Sequence, residues 1–118
     1  MRAMEQTAVA GSVRVANEVI ASIAAMAASD IDGVAGTDEG SARHFGDWIK
    51  RQTAHRGVRV LVDQDRTIHL EVFLVVKSTA PMASVAEHVQ TSVVKAVERM
   101  LGLEVAEVNV LVSSVAFA

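Results

Sequence analysis

The chain contains no cysteine and no tyrosine, and only one proline and one tryptophan. Without thiols there is no disulfide framework, no thiolate zinc site and no cysteine nucleophile, and such a composition suits a reducing cytoplasm. Aromatic residues make up 3% of the chain, so the core has to be assembled from Val, Ala, Leu, Ile and Met. A basic excess is also missing: 11 Lys+Arg stand against 14 Asp+Glu, a net charge of −3. Proteins that neutralise phosphate over a broad surface normally carry the opposite balance. Long apolar runs are absent as well. Ala21 to Ala28 is apolar but far shorter than the roughly 20 residues of a membrane span. Met1 to Ala10 holds Arg2, Glu5 and Gln6 and has no unbroken apolar region of the signal-peptide kind. What is present is 118 residues with 51% hydrophobic side chains. That is the size and composition of one globular domain.

Periodicity divides the chain. Residues 1–10 read as a flexible tail before a single domain over 11–118. Val13 and Val15 alternate with Ser12 and Arg14 as a short strand. From Asn17, a candidate N-cap, the period changes: Val19, Ile23 and Ala27 form one row and Ile20 and Ala24 the next, which predicts an amphipathic helix. Asp30 and Gly33 mark its stop, and Val34–Ala35 starts a short extended piece. Residues 37–56 read as a variable connector, with Phe45, Trp48 and Ile49 spaced for one short helical stripe. Gly57 opens a strand with Val58, Val60 and Val62 on one face. A polar turn at Asp63–Thr67 returns into a long strand, with Ile68, Leu70, Val72, Leu74 and Val76 on one side. After Pro81, the Ser84–Glu87 spacing suggests a capping box. Val85, Val89, Val93 and Val97 then recur every four residues, widened by Ala86, Met100 and Leu101, up to a Gly102 suited to the C′ position. In the last strand Val108, Val110 and Val112 alternate, but the step to Val115 is three residues, which a bulge at Ser113–Ser114 would absorb.

The order short strand, helix, hairpin, helix, strand predicts an α+β two-layer sandwich, a small mixed β-sheet with two main helices on one face. A right-handed crossover through the second helix would make the strands it joins parallel.

Four segments, taken together, carry a resemblance. They are Gly11-Ser-Val-Arg-Val15 through Asp32-Gly33-Val34, Gly57-Val58-Arg-Val60 with the strand to Lys77, Val85-Ala86 through Leu103, and Val108-Asn109-Val110-Leu-Val112 followed by Val115-Ala-Phe117. In order and spacing they resemble the bacterial alkaline-shock protein family, also called the general-stress or envelope stress response family. The likeness excludes the N-terminal tail and residues 37–56. Ser78-Thr79 stands where relatives often have Tyr-Gly, and Met100-Leu-Gly102 where they often have Met-Thr-Gly. The resemblance implies a non-enzymatic cytoplasmic protein, peripheral at the inner face of the cell membrane. It would have no cofactor and no small-molecule substrate. Its expected partners are itself, as a homo-oligomer, and a small membrane-anchored protein. No catalytic residues come with it.

The candidate chemistries are weak beside their structural alternatives. His44, Asp47 and His55 match no compact metal-ligand spacing and read as solvated polar residues. Asp30-Ile-Asp32-Gly33 begins like a calcium loop, but Ser41 occupies the position that needs Glu. His69 and Glu71 share a strand face, with Asp63 or Arg59 within possible reach, yet no nucleophile or anion cradle accompanies them. Arg43, Lys50, Arg51, Arg56 and Arg59, beside Phe45 and Trp48, form a basic patch that would suit anionic lipid or an acidic partner. An RNA-binding α+β domain is the alternative reading, disfavoured by the missing basic balance and the missing G-x-x-G clamp.

The sheet face away from the helices is the more informative feature. Leu61, His69, Glu71, Phe73, Val75 and Leu111 fall on it, a mixed apolar and charged surface of the kind that joins copies or partners. On this reading Phe73→Lys leaves the monomer folded.

Overall fold

The computed structural model describes residues 17–38, 53–64 and 67–117. The expected tail, the strand around Val13 and Val15, and the stripe of Phe45, Trp48 and Ile49 lie outside them.

Helix α1 (residues 17–29) is followed by β1 (Val34–Thr37), β2 (Thr53–His55), β3 (Val58–Val62) and β4 (Ile68–Lys77). Helix α2 (Met82–Leu101) then leads into β5 (Val105–Ala116). Among the described residues, five strands form one mixed sheet. β4 is its axis. β5 runs parallel along one edge of β4, as a helical crossover requires. The other edge is shared: β3 pairs antiparallel with residues 68–72 and β1 with residues 74–76. The handover falls at Phe73, whose amide donates to the Gly57 carbonyl at 2.9 Å and whose carbonyl accepts from the Asp38 amide at 2.8 Å.

Both helices cover one face, the predicted two-layer α+β sandwich. Ile20, Ala24 and Ala28 of α1 and Val85, Val89, Val93 and Val97 of α2 share a buried cluster with Val58, Val60, Ile68, Leu70, Val72, Leu74, Val76 and Val108. The α2 stripe is the expected one. The α1 stripe is rotated from the expected one: Ala21 and Ala25 are buried beside Ile20, whereas Val19 is 37% exposed. Alanines allow a close approach to the sheet, so the alanine side turns inward with Ile20, and Val19 and Ile23 straddle its edge. Asn17 is not the N-cap. It is already helical, and its buried Oδ1 has no hydrogen-bond partner among the described residues.

Three further local expectations change. The Ser84–Glu87 capping box does not form: α2 starts at Met82 behind an extended Pro81, with no side-chain cap, so Ser84 lies inside the helix. Residues 53–55, expected in the connector, form β2. They pair with β3 across a two-residue turn, His55 opposite Val58. Both turn residues, Arg56 (φ 54) and Gly57 (φ 80), have positive φ, the requirement of the type I′ hairpin that matches strand twist. Gly57 is also confined: a Cβ there would lie 2.8 Å from both the Asp38 nitrogen and the Thr37 Cβ. The third change is at Met100, expected to widen the α2 stripe but exposed.

The predicted bulge in β5 is present. Leu74 pairs with Val112 but Val75 with Ser114, so Ser113 is the extra residue and Val115 comes opposite Val76. The Ser113 hydroxyl lies 2.7 Å from Asp38 Oδ2 and 3.1 Å from the Leu74 carbonyl. A second irregularity lies at the start of the strand, where Ile68 pairs with Val105 but His69 with Glu107.

Candidate functional site

The sheet's second face is built by strand alternation. Residues 59, 61, 69, 71 and 73 point opposite to the helix-covered valines and leucines. Register then sets the rows: Arg59 beside Glu71 and Asn109, Leu61 beside His69 and Glu107, and Phe73 beside Leu111. The backbone therefore brings five of the expected residues, Leu61, His69, Glu71, Phe73 and Leu111, onto one surface, with Val75 next along β4.

Their environments differ. Leu61 is 41% exposed, and Val75 and Leu111 are half-buried. Phe73 is only 2% exposed, although it stands apart from the helix-covered cluster. Its expected role as an open contact residue needs correcting. It occupies the middle of the sheet, flanked by the converging ends of β1 and β3 on one side and by β5 on the other. Phe73→Lys would therefore put a charge into a closed site. Arg59 is similarly enclosed. Its Nη1 donates to Glu71 Oε1 at 2.7 Å, with side-chain exposures of 8% and 35%, and its Nε has no hydrogen-bond partner among the described residues.

One end of this face is a charged knot. His69 Nε2 lies 2.9 Å from Asp63 Oδ2, and its Nδ1 lies 2.9 Å from Glu107 Oε1. Asp63 is itself fixed by the β3–β4 connection, accepting from the Thr67 amide at Oδ1 and the Thr67 hydroxyl at Oδ2. Hydrogen bonds to Asp63, and then to Glu107, hold the His69 pKa above its ordinary value, with burial opposing them. Asp63 is one of the neighbours expected for His69. Glu107 was not expected, because the last strand was read only from Val108. The signal is nevertheless present: Val105 to Val108 is the same three-residue step as Val112 to Val115, and both mark a bulge.

Of the basic patch, Arg59 is drawn into its pair with Glu71, and the other described member is Arg56. It lines a shallow open groove with Ala25, Met26, Ser29 and Thr37. Arg43, Trp48, Lys50 and Arg51 lie outside the described residues, as do His44 and Asp47 of the weighed metal set. Among the described residues no group of three His, Asp or Glu side chains could hold a metal ion, and no helix is long and apolar enough to cross a membrane.

A two-layer sandwich whose second sheet face mixes apolar and charged side chains is the frame into which comparison with known proteins fits. The chain belongs to the alkaline shock protein 23 family, described as having a cell envelope-related function, whose model matches residues 5–117. It is similar to the uncharacterized protein YloU of Bacillus subtilis (strain 168), 32% identical over 107 residues that cover 89% of this chain and 88% of that protein. It is also similar to the uncharacterized protein YqhY of the same organism, 31% identical over 107 residues, or 91% of this chain and 78% of that one. No solved structure gives a significant match.

Proposed function

We propose that this protein is a non-enzymatic scaffold of the cell-envelope stress response. It acts in the cytoplasm, peripherally at the inner face of the cell membrane, by binding copies of itself and a small membrane-anchored partner. The observation that carries this reading is the sheet face that neither α1 nor α2 covers. There Leu61 is exposed and Val75 and Leu111 are half-buried, beside the Arg59–Glu71 pair. Fully burying a Val or Leu side chain is worth about 1.5–3 kcal/mol. Three partly exposed residues with flanking charges fit a modest interface once the cost of association is met. The envelope-related family supports the location of the work. The 11–118 unit acts as one domain, and the basic side of its connector, Arg56 included, serves the membrane-linked contact. No observation favours the RNA-binding alternative.

Site-specific photocrosslinking in cells tests the proposal. A photoreactive residue at Leu61 should give a homo-oligomeric adduct or a membrane-fraction adduct. One at His88, on the wet side of α2, should give neither. Equal labelling at both positions, or none at Leu61, contradicts it.

A further inference from the structure

The imidazole of His69 sits between two carboxylates, each 2.9 Å from a different ring nitrogen. A neutral imidazole has one N–H donor and one bare acceptor nitrogen. A carboxylate facing the bare nitrogen is repelled, so both contacts are satisfied together only when both nitrogens carry protons. The geometry points to a proton-dependent clamp: His69, as an imidazolium on β4, ties the β3–β4 connection at Asp63 to the start of β5 at Glu107, and the tie opens as the pH rises.

The sequence builds the clamp with a local device. In regular parallel register, Ile68 opposite Val105 would bring Ala106 beside His69. The bulge brings Glu107 there instead, and Leu70 then meets Val108. The cost of a bulge in the ladder is offset by an ion pair that regular pairing could not make. On the other side, Thr67 holds both oxygens of Asp63, so the carboxylate is oriented before the imidazole meets it. Among the described residues, the strand neighbours of the ring supply no unpaired rival charge. Leu61, directly opposite on β3, is apolar. Glu71, two residues along β4, is engaged with Arg59. His69 has a raised proton affinity for this reason, led by the Asp63 hydrogen bond.

The sign follows from linkage. A histidine whose folded-state pKa lies above its unfolded value of about 6.5 contributes its full stabilisation below that value and loses it as pH rises through the folded-state pKa. Above that point two carboxylates face a neutral ring, and one contact must open. The clamp stands independently of the proposed association. Where that association holds, the same step also makes this end of the face more acidic.

Long-range imidazole 15N NMR of the full chain between pH 5 and 10 tests the clamp, with His69 assigned by loss of its signals in His69→Gln. His69 should titrate above the ordinary histidine value of about 6.5, with both nitrogens protonated below its midpoint. Asp63→Asn and Glu107→Gln should each lower its midpoint. Amide exchange in Val105–Val108, corrected for its intrinsic pH dependence, should accelerate as His69 deprotonates, and this excess should vanish in His69→Gln. A wild-type His69 midpoint at or below about 6.5 overturns the clamp, even if a variant fails to fold. So does a midpoint that Glu107→Gln leaves in place. Neither result depends on whether the protein associates.

Discussion

Replacing Val93 tests the packing of α2 on the sheet quantitatively. The side chain is fully buried, in the cluster that contains Leu70, Val72 and Leu74. Val93→Ala removes about two methylene equivalents, worth roughly 0.8 kcal/mol each in transfer. The cavity left behind brings the total to about 2–3 kcal/mol. Val93→Asp loses the same packing and adds an unpaired carboxylate, which must either stay charged in the interior or take up a proton against its normal affinity. The combined loss exceeds about 4 kcal/mol, a large part of the roughly 5–15 kcal/mol available to a domain of this size. Lys95, two residues on and exposed, is the control: Lys95→Asp should cost no more than about 0.5 kcal/mol. Urea titration followed by far-ultraviolet circular dichroism resolves the series. With a slope of about 1–3 kcal/mol per molar urea, Val93→Ala should lower the midpoint by about 0.7–3 M, and Val93→Asp should leave little folded protein. A Val93→Ala midpoint indistinguishable from that of Lys95→Asp would refute the assignment of this face to the core.

Further outcomes separate the other structural causes. Gly57 and Gly102 both have positive φ, so alanine at either should cost about 1–2 kcal/mol. Only Gly57 is hemmed in by Thr37 and Asp38, so Gly57→Ala should melt clearly below Gly102→Ala in thermal denaturation. Glu71→Ala strands the enclosed Arg59 guanidinium and should lose about 1–3 kcal/mol by urea titration. The double variant Arg59→Met with Glu71→Leu should recover most of that loss. Phe73→Lys should unfold or strongly destabilise the monomer, a result that native gel mobility and circular dichroism read directly.

The elements with a sustained period were legible in the sequence. Val85 to Val97 named the buried side of α2 because valine at every fourth position leaves no other stripe. The alternation from Ile68 to Val76 named the covered side of β4 in the same way. The α1 face was misjudged because alanine is nearly neutral as a signal. Val19 looked more like core than Ala21, yet close approach to the sheet favoured the smaller residue. β2 escaped notice because Thr53–His55 is three residues long and owes its form to the Arg56–Gly57 turn rather than to an apolar pattern.

The candidate surface was legible as a face but not as a set of environments. Alternation shows that Phe73 points away from Leu74. It does not show that Phe73 stands where β1 and β3 converge on one edge of β4, which is a matter of long-range register. The same limit applies to His69. Asp63 lies near it in sequence, whereas Glu107 reaches it only through a bulge 38 residues away.

Sedimentation velocity over a wide concentration series, on wild type and Leu61→Glu, tests the central claim that the sheet face opposite α1 and α2 is where this protein binds its own copies. Leu61 is the large apolar residue on that face with the most exposure, so the variant should keep its melting temperature. The account predicts a wild-type sedimentation coefficient that rises with concentration and a Leu61→Glu coefficient that stays at the monomer value. A wild type that remains monomeric throughout, or a variant that assembles as wild type does, would contradict it.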